Sequence, residues 1–408
     1  MQALIADALP VLSGVLGVAP RTHGRSRSAI SIGDVSVATT DSIAGLEALE
    51  TEWLALERAE GSTTTPFQTY RFHREWVRHF VDADVSFRVV TVRSNGNLVL
   101  VLPLAVRRTA LGNVATWMGD PLIQYGDAIC SPNGDTMRWM DAAYASLKRD
   151  GSISVLSLTR VRADSAVAAW CDARMFAIGA PEQAISIDLS GFSEEGDFAR
   201  ARASRAARNR KRRRKLEKIG EVALRVVKSG DEAVRLVEQA VEMKKVWLQE
   251  RGLMGRAFSD DRMQACLEAL VRSPGDSETS DGAVICSLEI DGRPASIEYA
   301  FRHNGRHCAF MGAFESEWSR HSPGQVQMQD TIERCIADGA TAYDLMAPAD
   351  PYKCELGTTA VDVQDYSTVL SYAGLPAALW TSYGARSAKA VFSLMPQALR
   401  MSIRARLA

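Results

Sequence analysis

The sequence predicts a mixed α+β fold built as two tandem units, each a mixed central sheet flanked by helices. Helical and strand periodicities alternate along most of the chain, and two strand pairs are joined by the preferred hairpin dipeptides Asn95-Gly96 and Asp291-Gly292. The second observation is a repeat at an offset of roughly 190 residues. Met118-Gly119 answers Met311-Gly312, and Cys130-Ser131-Pro132 answers His321-Ser322-Pro323. Asp150-Gly151 answers Asp338-Gly339, and Ile153 to Leu156 answers Thr341 to Asp344. The shared order of these matches reads as a tandem duplication.

Taken in order, residues 1–34 read as a leader and linker. Met1 to Val18 is apolar, lacks a basic start and carries Asp7, which makes a poor signal peptide. The first unit, 35–192, opens with a strand at Val35 to Thr39 and a helix through Leu46, Trp53 and Leu56. A second helix carries Tyr70, Phe72, Trp76 and Phe80, and the hairpin of Phe87 to Arg93 and Leu98 to Val106 follows. Helices at Thr136 to Leu147 and Val167 to Ala173, and strands at Ile153 to Leu158 and Ala184 to Leu189, close the unit.

Residues 193–220 hold a basic connecting helix. Arg200 to Lys215 contains ten Lys or Arg and no acid, which leaves −11 for the rest of a chain of net charge −1. Such a run is either a solvated face paired with the acidic remainder, or a site for an anionic ligand, or a nucleic-acid surface. Arg208, Arg212 and Lys215 share one helical face. No aromatic residue interleaves the run, which disfavours nucleic acid.

The second unit, 221–375, has a strand at Val222 to Val227, a long helix from Glu232, a helical stretch from Arg262 to Val271, and the hairpin Ala283 to Ile290 with Pro294 to Arg302. A strand at Cys308 to Phe314 then leads to the Ser322-Pro323-Gly324 turn. One amphipathic helix follows, stopped by Asp338-Gly339, and after it a strand from Thr341 to Met346 and a polar Tyr352-Lys353 loop. A turn that opens a helix leaves backbone N–H groups unpaired at the positive end of the dipole, which suits a phosphate. The tail, 376–408, carries five basic residues and no acids beside an apolar set, and reads as a packed helix or a contact to an anionic membrane or a partner.

Composition narrows the function. At 408 residues, with 46% hydrophobic and 24% charged residues, the chain is long enough for two or three domains with real cores. Seven Cys are scattered singly, and the six His make no helical ligand pair, because His303 and His307 flank the Asn304-Gly305 turn. Neither a disulfide frame nor a metal site is expected. No stretch of apolar residues is long enough to span a bilayer. The expected location is cytoplasmic, with peripheral membrane association through the tail left open.

Ser322-Pro323-Gly324, Tyr343-Asp344-Leu345, Tyr352-Lys353 and the arginine-rich helix before them resemble the CelD-like acetyltransferases of bacterial exopolysaccharide and cellulose synthesis, a GNAT-type family related to the Fem-type aminoacyl transferases. The resemblance covers most of residues 35 to 370. The family often has Gly where Ala347 or Pro348 stands here, and an aromatic residue soon after the Lys, where this chain has Cys354-Glu355-Leu356. The resemblance implies tandem GNAT-like domains, with an acyl-CoA, acetyl-CoA first, as co-substrate of the second. The pantetheine would run along Phe310, Met311 and Gly312, and the pyrophosphate would sit on Ser322, Pro323, Gly324, Gln325 and Val326. The first copy, whose matching strand carries no ionisable group, would be structural or acceptor-binding.

Acyl transfer to an amine needs a base, a polarised carbonyl and an acid for the departing thiolate. Asp344 and Glu298, carboxylates on central strands, are the candidate bases, with Glu315 a third. Tyr352 is the candidate acid, and Lys353 a partner for a phosphate or an acceptor carboxylate. A Cys nucleophile, Cys308 or Cys354, has no His at a suggestive position. Arg208, Arg212 and Lys215 are candidates for an anionic substrate. The expected reaction is N-acylation of an amino sugar or glycan precursor, the acceptor coming from the resemblance alone. Two alternatives stay open, a non-catalytic nucleotide- or polyanion-binding regulator and a tRNA-dependent aminoacyl transferase.

Overall fold

The computed structural model describes residues 27–378, apart from 33, 60–64, 133, 195, 253–257, 259, 273–280, 372–373, 375 and 377. The leader before Arg27, and the tail with its five basic residues, lie outside the described residues. The chain divides into two compact units, one of residues 1–181 and 363–408, the other of residues 182–362. The arginine-rich helix therefore falls inside the second unit, and the chain from Val363 returns to the first. Among the described residues no helix is long and apolar enough to cross a membrane.

The first unit runs β1 (Arg27–Ile32), β2 (Val35–Thr40), α1 (Ile43–Glu47), α2 (Glu50–Glu57), α3 (Tyr70–Phe80), β3 (Val85–Ser94), β4 (Asn97–Thr109), β5 (Gly112–Trp117), β6 (Ile129–Cys130), α4 (Thr136–Asp150), β7 (Val155–Arg162), α5 (Ala168–Arg174) and the start of β8 (Phe176–Asp188). Its sheet order is β1-β2-β3-β4-β5-β7, with the last residues of the chain's final strand antiparallel on β7. The hairpin of β3 and β4 turns at Asn95-Gly96, both at positive φ, as a two-residue turn of this type requires. Trp53, Trp76, Trp117 and Trp170 are at most 1% exposed, and they anchor the core of this unit.

The second unit continues with α6 (Asp197–Ala201), α7 (Ala203–Leu216), β9 (Val222–Val227), α8 (Asp231–Glu250), α9 (Asp261–Arg272), β10 (Gly282–Ile290), β11 (Arg293–His303), β12 (Arg306–Phe314), α10 (Pro323–Ala337), β13 (Ala342–Met346), α11 (Pro351–Leu356) and β14 (Thr359–Val369). Its sheet order is β9-β10-β11-β12-β13, completed by Ile185 to Asp188 of β8 antiparallel on β13. Alternation along β11 sends Tyr299 to one face, where its hydroxyl donates to the Leu267 carbonyl of α9. Ser296 and Glu298 go to the other face, where Ser296 donates to Gln327 of α10. The core under α10 joins Ile332 and Ile336 to Ile187, Phe198, Tyr343 and Leu345. Each such aliphatic side chain contributes about 1.5–3 kcal/mol through burial.

Several expected elements differ. Residues 27–32 were expected as linker, yet they pair with β2 as an edge strand. The helix through Leu46 to Leu56 is two, broken at Ala48 and Leu49. Strands β5 and β14 were not anticipated. The basic helix is also two, broken at Arg202, because Glu333 accepts from the backbone of Gly196 and Ala199 and so fixes α6 as a separate turn. The Tyr352-Lys353 loop is the helix α11. A 3-10 turn, Ser316–His321, stands between β12 and the Ser-Pro-Gly turn and buries Trp318.

Candidate functional site

β12 and β13 run parallel, but they pair only at Arg306 with Ala342, His307 with Tyr343 and Cys308 with Asp344. β12 continues to Phe314 and stays paired to β11, with an irregularity between Tyr299 and Ala300 where Phe310 is the extra residue on the partner strand. From Ala309 onward the edge of β12 that faces β13 therefore lacks a strand partner. A wedge opens there along Phe310, Met311 and Gly312.

The turn after β12 opens α10. Ser322 is its N-cap at φ +54, its side chain makes no cap hydrogen bond, and the first turn holds no acid. The first-unit counterpart is filled. There Asp135 caps α4 by accepting from the Arg138 N–H at 3.0 Å, and a Cβ on Gly134 would meet the Trp139 ring at 1.7 Å. In α10 a Cβ on Gly324 would meet only Ser296 Oγ, at 3.6 Å, and one on Gly312 would meet nothing within 4 Å. Neither glycine has a positive φ. The fold itself does not require glycine at either position. Gln325, by contrast, is engaged, since its Oε1 accepts from Arg205 at 2.7 Å, and Val326 is core.

Glu298 is 5% exposed beneath the apex of the wedge. Its Oε1 lies 2.9 Å from His307 Nε2, and its Oε2 accepts from the Tyr343 hydroxyl at 2.5 Å. The His307 and Tyr343 rings stack with centroids 5.0 Å apart. Burial works against a charged His307, but the Cys335 sulfur and the Glu298 carboxylate outweigh it and raise its pKa to about 9. Burial, and then the same carboxylate, push the Tyr343 hydroxyl far up. Donor atoms of Cys286, Glu298 and His307 lie within 4.8 Å of one another. The His that the sequence placed beside a turn is thus the partner of a candidate base, a juxtaposition that only strand register produces.

Asp344 is fully buried and committed. Its Oδ1 accepts from the Met346 N–H at 2.8 Å, holding Met346 at φ +61, and its Oδ2 lies 3.3 Å from Arg306. Lys353 is 7% exposed, and its ammonium donates to the carbonyls of Met346 and Pro348 at 3.1 and 2.9 Å. These two residues brace the segment that leaves β13. Tyr352 is 40% exposed, with its pKa raised to about 12 by burial, Asp350 and Glu298. Cys308 is buried and Cys354 exposed.

On α7 the charges divide. Arg205 reaches Gln325, Arg208 pairs with Glu355 at 2.6 Å, Arg212 donates to Asn209, and Arg213 reaches Asp330. Arg210, Lys211, Arg214, Lys215 and Lys218 are exposed. Of the three candidates for an anionic substrate, Arg208 and Lys215 are exposed, Arg208 being paired with Glu355, and Arg212 is half-buried. Sequence reasoning also missed Lys244, whose ammonium donates to the Gly312 carbonyl at 3.3 Å, although Lys244, Trp247 and Arg251 recur at helical spacing in the sequence.

Residues 203–354 match a family model described as an acetyltransferase (GNAT) domain. This stretch is a GNAT-type N-acyltransferase domain. No curated protein matches the chain. Among solved structures, FemX aligns at 12% identity over 82% of this chain and 97% of its own, with a TM-score of 0.55. The C-terminal domain of a protein described as a lysylphosphatidylglycerol synthetase from Agrobacterium fabrum aligns at 12% identity over 82% and 94%, with a TM-score of 0.49. A tandem GNAT protein from the clavulanic acid biosynthesis pathway aligns at 14% identity over 82% and 99%, with a TM-score of 0.46. The GNAT domain match falls within the second unit, and the fold of the chain is similar to that of FemX.

Proposed function

We propose that the second unit binds an acyl-CoA, acetyl-CoA first, in the wedge between β12 and β13 and transfers its acyl group to an amine of an amino sugar or glycan precursor. The observation that carries this reading is the parting of the two strands after Cys308 and Asp344. A pantetheine can run along the β12 edge there, and a pyrophosphate can reach the Gly324 N–H at the N-terminus of α10.

Glu298 is the best-placed base, because His307 and Tyr343 hold it beside the wedge, and a buried carboxylate so held is poised rather than incidental. Tyr352 stays protonated at neutral pH, and transfer of its proton to a thiolate of pKa about 8.5 is uphill by roughly 3 units. It serves by donating a hydrogen bond to the departing sulfur. Asp344 and Lys353 hold the far wall of the wedge.

A second reading, an aminoacyl group delivered on tRNA, draws on the exposed cations of α7 and would be favoured by salt-sensitive tRNA binding. The test of the first is release of free thiol from acetyl-CoA in the presence of glucosamine. Release that needs the amine and is lost in Glu298→Gln supports it. Release independent of the amine contradicts it.

A further inference from the structure

Lys244, Trp247 and Arg251 lie on one face of the last turns of α8. The Lys244 ammonium is 4.6 Å from the Trp247 ring centroid, and the Arg251 guanidinium carbon is 4.3 Å from the same ring. The indole therefore serves two cations. The bond from Lys244 to the Gly312 carbonyl sets this face beside the outer half of β12. Burial lowers the pKa of Lys244, and the charges of Arg251 and Lys353 lower it further. The neighbouring Lys245 points to Asp261 instead, at 3.7 Å.

Gathering like charges beside a half-buried ammonium costs free energy, and one aromatic face offsets only part of it. An anion between Lys244 and Arg251 would offset the rest through charge-assisted hydrogen bonds.

We infer that this face holds a phosphate or carboxylate carried by the acyl acceptor close to its amine, so that the acceptor is an anionic amine rather than a neutral one. The inference rests on the reading of the wedge as the acyl-CoA site, since Gly312 lines both. The anion fixes the acceptor against α8 while its amine reaches the thioester across Gly312.

The test is calorimetric titration of glucosamine, glucosamine 6-phosphate and muramic acid into the full chain saturated with CoA. The three share one amine scaffold with no anion, a phosphate and a carboxylate. At least one anionic ligand should bind about tenfold or more tighter than glucosamine, and Lys244→Gln with Arg251→Gln should erase that gap. Which anionic ligand binds tighter identifies the anion. Equal binding of all three, binding of none, or a gap that survives in the double variant overturns the inference. If CoA itself fails to bind, the reading of the wedge falls with it. If CoA binds and no anion preference appears, only this inference falls.

Discussion

The imidazole Nε2 of His307 lies 2.9 Å from Oε1 of Glu298 inside the sheet of the second unit, and the pair is closed on its other side by the Tyr343 hydroxyl. The groups facing it come from every neighbouring element: Cys286 from β10, Tyr343 from β13 and Cys335 from α10. Against the cost of burial, Cys335 and Glu298 keep a proton on His307 well above the pH at which a free imidazole loses it.

That proton links stability to pH. Because the folded pKa of His307, about 9, lies above the ordinary 6.5, its contribution is fully present below pH 6.5 and is lost as pH rises through 9. The shift corresponds to on the order of 3 kcal/mol. Chemical denaturation at intervals between pH 6 and 10 should show stability falling across this window, and Glu298→Gln should flatten the fall. In NMR the His307 titration should move down in the same variant. An unchanged titration would detach His307 from Glu298.

Asp344 should prove a structural carboxylate. Asp344→Ala removes the acceptor of the Met346 N–H and the partner of Arg306, and should cost about 2 kcal/mol in urea denaturation. Asp344→Asn keeps an acceptor oxygen and should cost less. Acyl-CoA affinity should survive in Asp344→Asn, and its loss without a loss of fold would place Asp344 in the chemistry.

Tyr352→Phe should lower kcat about tenfold or more and leave acetyl-CoA affinity unchanged, because the hydroxyl acts on the thiolate that forms only during the reaction. Steady-state kinetics beside a binding titration separates the two. A change in affinity alone would make Tyr352 a binding residue.

The two sets of arginines on α7 should differ in stability. Arg213, which reaches Asp330 and the Val222 carbonyl, should cost about 1–2 kcal/mol on replacement by Ala. Exposed Arg210 should stay within about 0.5 kcal/mol. Thermal melts of the two variants compare them directly.

Much of this architecture is legible in the sequence. The Asn95-Gly96 and Asp291-Gly292 turns, the amphipathic run from Val326 to Ile336 and the Asp338-Gly339 stop each carry a local signal, and the structure has the expected element at each. Strand β14 is less legible although Val361 and Val363 alternate, since its closing residues join the unit formed by the start of the chain. The site was less legible. His307 reads as a turn flank until the register of β11 against β12 brings it to Glu298, and Asp344 reads as a base until the positive φ of Met346 shows what its carboxylate holds. The pairing of the α7 arginines depends on which acids α10 and α11 present, and helical periodicity alone does not carry that information.

The most direct test is calorimetric titration of acetyl-CoA into the native chain and into Gly324→Arg. A Cβ at this position has room in the fold, so the variant should fold as the native protein does while its side chain occupies the place of the pyrophosphate. The account predicts micromolar binding to the native chain and none to the folded variant. Absence of binding to the native chain, or equal binding to both, would contradict it.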